Sequence, residues 1–334
     1  MRSSVLTAAT ILLLAGAAAP CGASPPTIDM LGSGFNNPAG VAVDSSGNVF
    51  VADTGNNAVK EILAAGGYVT VNTLGSGFAR PQSVAVDSSG NVFVADFSNN
   101  AVKEILAAGG YVTVNTLGSG FSIPAGVAVD GSGNVFVADF GHNAVKEILA
   151  AGGYVTVNTL GSGFKFPDGV AVDGSGNVFV GDATHNAVKE ILAAGGYVTV
   201  NTLGGGFAAP DGVAVDGSGN VFVADFGNNA VKEILAAGGY VTVNTLGSGF
   251  NQDGGVAVDG AGNVFVADGG NNAVKEILAA PPPPVPTLGT WSLLLSGLLL
   301  GSAGYRVARG RSPARQARIA GRSTSSRHRD DKLR

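Results

Sequence analysis

One 43-residue segment is repeated through most of this chain, and this repetition restricts the fold more than any other feature. Each copy begins with the pentapeptide LGSGF, or LGGGF once, and its leucine is Leu31, Leu74, Leu117, Leu160, Leu203 and Leu246. A fixed period of this length is typical of repeat architectures, in which each unit buries its apolar face only against its neighbours. The six copies are therefore expected to form one body, although 334 residues alone would suggest two domains.

Four short apolar segments follow one another within each copy. Segments 41–43 and 49–52 are apolar without alternation, as in strands that are buried on both faces. Segment 58–63 mixes charged and apolar residues, and segment 68–73 alternates, as in a half-exposed strand. Burial thus falls from the first strand to the fourth. This gradient predicts an all-β, six-bladed β-propeller with four-stranded antiparallel blades, whose first strands line the axis.

The end of the sixth copy indicates how the ring closes. That copy stops at Ala280 and lacks a fourth strand, whereas residues 27–31 match residues 70–74 in register. The N-terminal strand is therefore predicted to complete the last blade and to leave no free sheet edge between the ends of the ring.

The repeat also resembles the NHL repeat family. The matching motifs are PAGVAVD from Pro38, GNVFVAD from Gly47 and GNN from Gly55, and the resemblance covers residues 27–280. It implies a six-bladed propeller similar to the sensor domains that some bacterial receptor kinases hold outside the membrane. Family members that bind RNA use basic surfaces. Here the Arg that is common after the Asn-Asn pair is replaced by Ala58, Ala101, Ala144, Ala187, Ala230 and Ala273.

The charge distribution argues against a nucleic-acid partner. The formal charge is −5, but ten of the 19 Lys and Arg residues lie between residues 306 and 334. Residues 24–305 contain eight basic and 22 acidic residues, which leaves about −14 on the repeat body. Nucleic-acid binding needs clustered Lys and Arg that displace counterions.

Both ends of the chain predict export. Residues 1–23 read as a secretory signal peptide, whose removal would also remove Cys21, the only cysteine. Residues 24–280 are the predicted propeller. Residues 281–287 form a Pro-rich linker and sorting motif, residues 288–307 a predicted transmembrane helix, and residues 308–334 a basic cytoplasmic tail.

This C-terminal arrangement resembles the IPTL-CTERM sorting signal of Gram-negative bacteria. The motif residues are Val285, Pro286, Thr287 and Leu288. The resemblance implies export to the periplasm, cell surface or exterior, at least transient anchoring in the membrane, and a sorting protease as a partner. A plain C-terminal anchor is the alternative interpretation.

The copies differ from one another mainly at two places. The first comprises the lead-in residues at the entry to each inner strand, together with the residues just after them; the lead-in pairs are 36–37, 79–80, 122–123, 165–166, 208–209 and 251–252. The second is the turn between strands two and three, which is 54–56, 97–99, 140–142, 183–185, 226–228 and 269–271. Antiparallel strands place both segments at the same end of every blade. We call this end the variable face.

Loops on a rigid scaffold often hold binding residues. The candidate ligand-binding residues at the variable face are Arg80, Phe97, Phe140, His142, Lys165, Phe166, Asp168, His185 and Phe226. Drift of exposed loops after duplication would leave similar differences, and Phe at a blade turn can also be a packing wedge. Both alternatives remain open at this stage.

The sequence predicts neither a catalytic residue nor a metal or other cofactor. His142 and His185 occupy equivalent positions in adjacent copies, which are too far apart to share one metal. The Asp residues at strand ends, such as Asp44 and Asp53, are typical of turns, with Ca²⁺ binding at the axis as the alternative.

We therefore expect a monomeric, non-enzymatic module at the cell envelope that binds a protein, peptide or polysaccharide. A purely structural envelope protein is the first alternative. A metal-dependent lyase or lactonase is the second, because some related propellers have these activities.

Overall fold

The inner strands of the six sheets surround one axis. A computed structural model describes residues 26–279, and these residues form six four-stranded antiparallel sheets, as predicted. The inner strand of each sheet, or blade, contacts the inner strands of both neighbouring blades, and blade six contacts blade one. The ring is therefore closed.

The strands follow one another outwards from the axis in sequence order. From blade one to blade six, the inner strands are Pro38–Val43, Pro81–Val86, Pro124–Val129, Pro167–Val172, Pro210–Val215 and Asp253–Val258. The second strands are Val49–Asp53, Val92–Asp96, Val135–Asp139, Val178–Asp182, Val221–Asp225 and Val264–Asp268. The third strands are Ala58–Ile62, Ala101–Ile105, Ala144–Ile148, Ala187–Ile191, Ala230–Ile234 and Ala273–Ile277.

The outer strands and the turns complete the blades. The outer strands of blades one to five are Val71–Leu74, Val114–Leu117, Val157–Leu160, Val200–Leu203 and Val243–Ser248. Blade six takes the N-terminal strand Ile28–Leu31 as its outer strand. Single 3₁₀ turns join strands two and three, and they are Thr54–Asn56, Phe97–Asn99, Phe140–His142, Ala183–His185, Phe226–Asn228 and Gly269–Asn271.

The apolar core lies between neighbouring blades. Phe50 and Val59 of blade one pack with Val84 and Val94 of blade two, and the Phe50 ring lies 6.4 Å from that of Tyr111. Every residue of the second strands is buried, which confirms the predicted burial of these strands on both faces. The same prediction for the inner strands was wrong: they are less buried than the second strands, because they line the central cavity. Each fully buried Val or Phe contributes roughly 1.5–3 kcal/mol to stability.

The repeated LGSGF pentapeptide links one blade to the next. Leu74 ends the outer strand of blade one, and the Phe78 ring is buried just before blade two begins. Between them, Gly75 has a φ of +56°, and a Cβ there would lie 2.9 Å from the Val114 side chain. Only glycine fits this combination of left-handed backbone and close contact.

The N-terminal strand closes the ring as predicted. Ile28 pairs with Ile277 and Leu31 with Val274 in an antiparallel register. A hydrogen bond of 2.7 Å from the Asn37 amide to the Asn272 side-chain oxygen adds a second link between blades one and six.

The closing blade contains one unfavourable pair that the other five blades lack. In blade one the Asn72 side-chain amide donates to the Glu61 carboxylate at 3.2 Å, and blades two to five repeat this bond at 3.2–3.3 Å. In blade six the corresponding residues are Asp29 and Glu276, which stand opposite each other. Burial, followed by Asp259 and Asp29, raises the pKa of Glu276.

The predicted signal peptide, linker and sorting motif, membrane helix and basic tail all lie outside the described residues. Within residues 26–279, no helix has the length and apolar character that spanning a membrane requires.

Replacing Asp29 by Asn is expected to stabilise the ring by about 1 kcal/mol at pH 7, because it removes a like-charge pair and restores the Asn–Glu bond. The pKa of Glu276 is raised above its ordinary value of 4.5, so this carboxyl opposes folding most when ionised. The gain should therefore shrink as the pH falls towards 4. Thermal unfolding at both pH values measures it.

Asn72→Asp is the matched control, since it creates in blade one the pair that blade six already has. It should lower the melting temperature at pH 7. Equal melting temperatures for the parent protein and both variants would contradict this account of the closing blade.

Candidate binding face

The two variable segments are hydrogen-bonded to each other at the variable face in blades one, two, three, five and six. In blade one the Gly55 amide donates to the Asn36 carbonyl oxygen at 2.8 Å. Blade three repeats this bond from Gly141 to Ser122 at 2.9 Å. Lead-in residues and 3₁₀ turns thus form one surface at this end of the ring.

A fully buried aspartate anchors these loops in every blade. It ends the second strand, and its six copies are Asp53, Asp96, Asp139, Asp182, Asp225 and Asp268. In blade one the Asp53 carboxylate accepts the Asn36 amide at 2.7 Å and the Asn56 side chain at 2.7 Å. It also forms an ion pair with Lys60 at 2.5 Å. A buried charge is tolerated when it is paired and hydrogen-bonded in this way.

The lysine of this cluster is held by contacts within its own blade. The Lys60 ammonium also donates to the Gly34 carbonyl oxygen at 2.6 Å and lies 5.2 Å from the centroid of the buried Phe35 ring. The same ion pair occurs in all six blades, and its lysines are Lys60, Lys103, Lys146, Lys189, Lys232 and Lys275. None of these cations is free to meet a ligand.

His142 and His185 take the place of Asn56 in this cluster. The Nδ1 atom of each lies 2.8 Å from the buried carboxylate, Asp139 or Asp182. Because an ionised carboxylate only accepts, Nδ1 is the donor in both of these hydrogen bonds. The side chains are 52% and 48% exposed. Among the described residues, no three His, Cys, Asp or Glu side chains are grouped closely enough to hold a metal ion.

A second residue fixes each lead-in loop to the preceding blade. Asn57 has a φ of +53°, and its side-chain oxygen accepts the amide hydrogen of Arg80 at 2.8 Å. All six blades repeat this bond between neighbours, with distances of 2.7–3.3 Å. It holds the second lead-in residue in the left-handed region, at φ 46–56°, and these residues are Asn37, Arg80, Ile123, Phe166, Ala209 and Gln252.

Large side chains on the variable face contact one another within blade two, within blade three, and between blades three and four. The Arg80 guanidinium lies 5.5 Å from the Phe97 ring centroid. The Phe140 ring of blade three stacks on Phe166, which leads into blade four, with centroids 4.7 Å apart and planes 24° apart. Ile123 lies beside the 140–142 turn, since a Cβ at 141 would be 2.7 Å from its Cγ1. We call these five residues the aromatic arc.

Other predicted residues border the arc or lie beyond it. Lys165 is exposed beside Phe166, and its amide donates to Asp182 at 3.0 Å. Phe226 of blade five is 38% exposed and has no ring partner among residues 26–279. Ile123 was missed by the sequence analysis, although its place among the variable lead-in residues was a usable signal.

Asp168 lies in a different place from the arc, at the mouth of the central channel. The inner strands line a central cavity of about 230 Å³. At its mouth lies a smaller chamber of about 30 Å³, whose walls are small residues together with Asp168, Asp211, Gln82 and Ser83. The chamber is narrow because neighbouring backbones nearly touch: a Cβ at Gly169 would lie 2.4 Å from the Asp211 carbonyl oxygen.

Two carboxyl groups share this chamber. Burial raises the pKa of Asp168 from 3.8 to about 6, and a hydrogen bond with Asp211 opposes part of that rise. The equivalent positions in blades one, three and six are Ala39, Ala125 and Gly254, so the pair is confined to blades four and five. The sequence analysis missed Asp211, because nothing within one repeat shows which positions of two blades meet at the axis.

Replacing Asp168 by Asn is expected to raise the melting temperature at pH 7.5 but not at pH 4. The folded protein holds this proton up to about pH 6, whereas the unfolded chain loses it near 3.8, so stability falls as the pH rises between these values. Thermal unfolding monitored by circular dichroism tests this. The Asp211→Asn variant should show the same pH dependence of its melting temperature. An equal change in melting temperature at pH 7.5 and pH 4 would argue against a proton shared by the two carboxyl groups.

Replacing Ile123 by Asn is expected to stabilise the protein by about 1–2 kcal/mol. Ile123 is β-branched and has a φ of +46°, a conformation that costs such residues about this much. Asn37 occupies the same position in blade one at φ +47°. Denaturant unfolding measures the change. The reciprocal control, Asn37→Ile, should destabilise, and a loss of stability in Ile123→Asn would refute this strain argument.

Comparison with known proteins agrees with the fold. The model of the NHL repeat family matches residues 35–62, 78–105, 121–148 and 207–234, which lie in blades one, two, three and five. Each match runs from the buried Phe of the pentapeptide to the end of the third strand. No curated protein sequence matches the chain significantly.

Solved structures with a similar fold have low sequence identity to this chain. A gluconolactonase from Xanthomonas campestris has a TM-score of 0.64 and 14% identity over 78% of this chain and 95% of its own. An inactive virginiamycin B lyase from Staphylococcus aureus, solved with quinupristin, has a TM-score of 0.56 and 12% identity over 76% and 99%. A Bacteroides thetaiotaomicron protein of unknown function has a TM-score of 0.60 and 17% identity over 75% and 74%.

These likenesses concern the fold alone. Together with the closed ring of six blades and the matched segments, they show that this chain is a six-bladed β-propeller, four blades of which contain repeats that match the NHL family.

Proposed function

We propose that this protein is an exported binding module whose variable face receives a protein, peptide or polysaccharide at the cell envelope. The strongest support is the position of the two basic side chains that have no carboxylate partner. Of the Lys and Arg residues within 26–279, only Arg80 and Lys165 have no carboxylate partner, and both are lead-in residues. Arg80 belongs to the aromatic arc and Lys165 lies next to it in the sequence, on a body that is otherwise acidic.

The repeats themselves argue against the packing-wedge interpretation of the arc. The turn position of Phe97 and Phe140 is Thr54, Ala183 or Gly269 in other blades, and the backbone geometry of the turn is the same. Phe166 likewise has Ala209 as its counterpart in blade five. Since the blade folds with small residues at these positions, the fold does not require large aromatic ones.

Attachment to the envelope depends on the two ends of the sequence. The signal peptide over residues 1–23 and the sorting motif Val285, Pro286, Thr287 and Leu288 support export, a sorting protease partner and anchoring by residues 288–307. A purely structural envelope protein is the competing proposal, and it gives no reason for aromatic and cationic side chains to lie together on one face.

A metal-dependent lyase or lactonase is the second candidate function, because the fold is similar to such enzymes and two carboxyl groups meet at the channel mouth. The chamber of about 30 Å³ there has room for one water or ion, but not for an organic substrate. The variable face therefore supports binding better than the channel supports catalysis. Metal analysis of the purified protein tests this alternative, since a stoichiometric divalent ion would favour it.

The binding proposal can be tested by cross-linking the tagged full-length protein in its native envelope. Replacing Phe97, Phe140 and Phe166 by Ala should reduce ligand capture at least tenfold and leave the melting temperature within about 2 °C of the parent, because small residues already occupy these positions elsewhere.

The matched control removes exposed apolar side chains from the opposite end of the same blades. Val112, Val155 and Val198 are each 75% exposed in the turns between strands three and four. Their replacement by Ser should leave capture unchanged. Unchanged capture in the Phe variant, or a melting temperature lower by several degrees, would remove the arc as the binding site.

A further inference from the structure

We infer that the ligand of the variable face is an acidic peptide segment with large apolar side chains. This inference rests on the binding function proposed above and narrows it to one class of ligand. It depends on three observations: the difference in charge between the two ends of the propeller, the contacts that cover the phenylalanine rings of the arc, and the hydrogen bonds that the lead-in amides already make.

The two ends of the ring differ in charge. Around the outer part of the variable face, apart from Asp168 and Asp211 at the channel mouth, the six buried carboxylates are each neutralised by a lysine, and Arg80 and Lys165 add two positive charges without an ion-pair partner. At the opposite end, turn carboxylates accept hydrogen bonds from amides and asparagines, and no lysine or arginine of the described residues pairs with them. They are Asp44, Asp87, Asp130, Asp173, Asp216 and Asp259. An anionic ligand is therefore directed towards the variable face.

The arc suits apolar side chains better than sugar rings. A sugar stacks on an open aromatic face and needs several hydrogen-bonding side chains around it. Here the Arg80 guanidinium lies over Phe97, and Phe140 and Phe166 cover one face of each other. Phenylalanine also has no hydroxyl or N–H group to donate. Leu, Ile or Phe side chains of a peptide can pack against the remaining ring surface without such groups.

The lead-in backbone is already satisfied by the fold. The amides of Arg80, Ile123 and Phe166 donate to asparagine side chains of the preceding blades at 2.7–2.8 Å. A peptide cannot use these amides to add a strand, so recognition falls to side chains. Arg80 leads into blade two and Lys165 into blade four, with Ile123 and Phe140 between them. The matching ligand has acidic residues on either side of an apolar stretch.

A synthetic peptide tests this inference on the purified full-length protein. The probe is a fluorescein-labelled Glu-Glu-Leu-Phe-Glu-Leu-Phe-Glu-Glu peptide, and fluorescence anisotropy at 50 mM NaCl measures its binding. We expect saturable binding that weakens at least tenfold when every Glu is replaced by Gln, and that also weakens at 500 mM NaCl because exposed charges are screened.

Protein variants locate the interaction. The double variant Arg80→Ala and Lys165→Ala should weaken binding about tenfold. The charge reversal Arg80→Glu and Lys165→Glu should abolish binding of the Glu probe and allow binding of a probe with Lys in place of Glu. The control with Val112, Val155 and Val198 replaced by Ser should bind the Glu probe as the parent protein does.

The outcomes separate this inference from the proposed function. If envelope capture depends on Phe97, Phe140 and Phe166 but the Glu probe does not bind, or if polygalacturonate binds in its place, the peptide inference is overturned while the binding function stands. If neither capture nor probe binding responds to changes at the variable face, both fail. Saturable, charge-dependent binding that the double variant weakens supports the inference.

Discussion

The buried aspartate at the end of each second strand holds together the parts of a blade that matter for function. Asp53 joins the second strand to Lys60 on the third strand, to the 3₁₀ turn through Asn56, and to the lead-in loop through the Asn36 amide. Removing one partner from such a cluster would leave an uncompensated buried charge, which is strongly destabilising. Every blade repeats this arrangement, so the loops of the variable face have one geometry whatever side chains they present.

This backbone-based fixation explains why the lead-in residues can vary. The loop is held by its amides and by the side chains of Asp and Asn, and not by the side chain of the second lead-in residue. Asn37, Arg80 and Phe166 therefore adopt nearly the same φ, between 47° and 54°. A surface built in this way can gain aromatic or cationic groups at little cost to the fold. The same freedom also permits these positions to drift after duplication.

Near-identical blades also serve as internal controls for one another. In blades one to five an asparagine donates a hydrogen bond to the glutamate opposite, which Asp29 of blade six cannot do when ionised. His142 and His185 show that another donor can take the place of Asn56 beside the buried carboxylate. Similarly, the alanine and glycine residues at the axis of other blades show that the pair of Asp168 and Asp211 is an addition to the scaffold, not a requirement of it.

The sequence by itself determined the number of blades, the order of strands and the closure of the ring. The 43-residue period, the four apolar segments of each copy and the match of residues 27–31 to residues 70–74 were sufficient, because they are properties of single repeats and of local pattern. Antiparallel alternation likewise placed the variable segments at one end.

Only the tertiary structure decided which side chains of different blades meet. It brought Phe140 to Phe166 and Ile123 into the aromatic arc, but placed Asp168 with Asp211 at the channel mouth. These contacts depend on the curvature of the ring and on distances between blades, and neither quantity is encoded in the spacing of residues within one repeat.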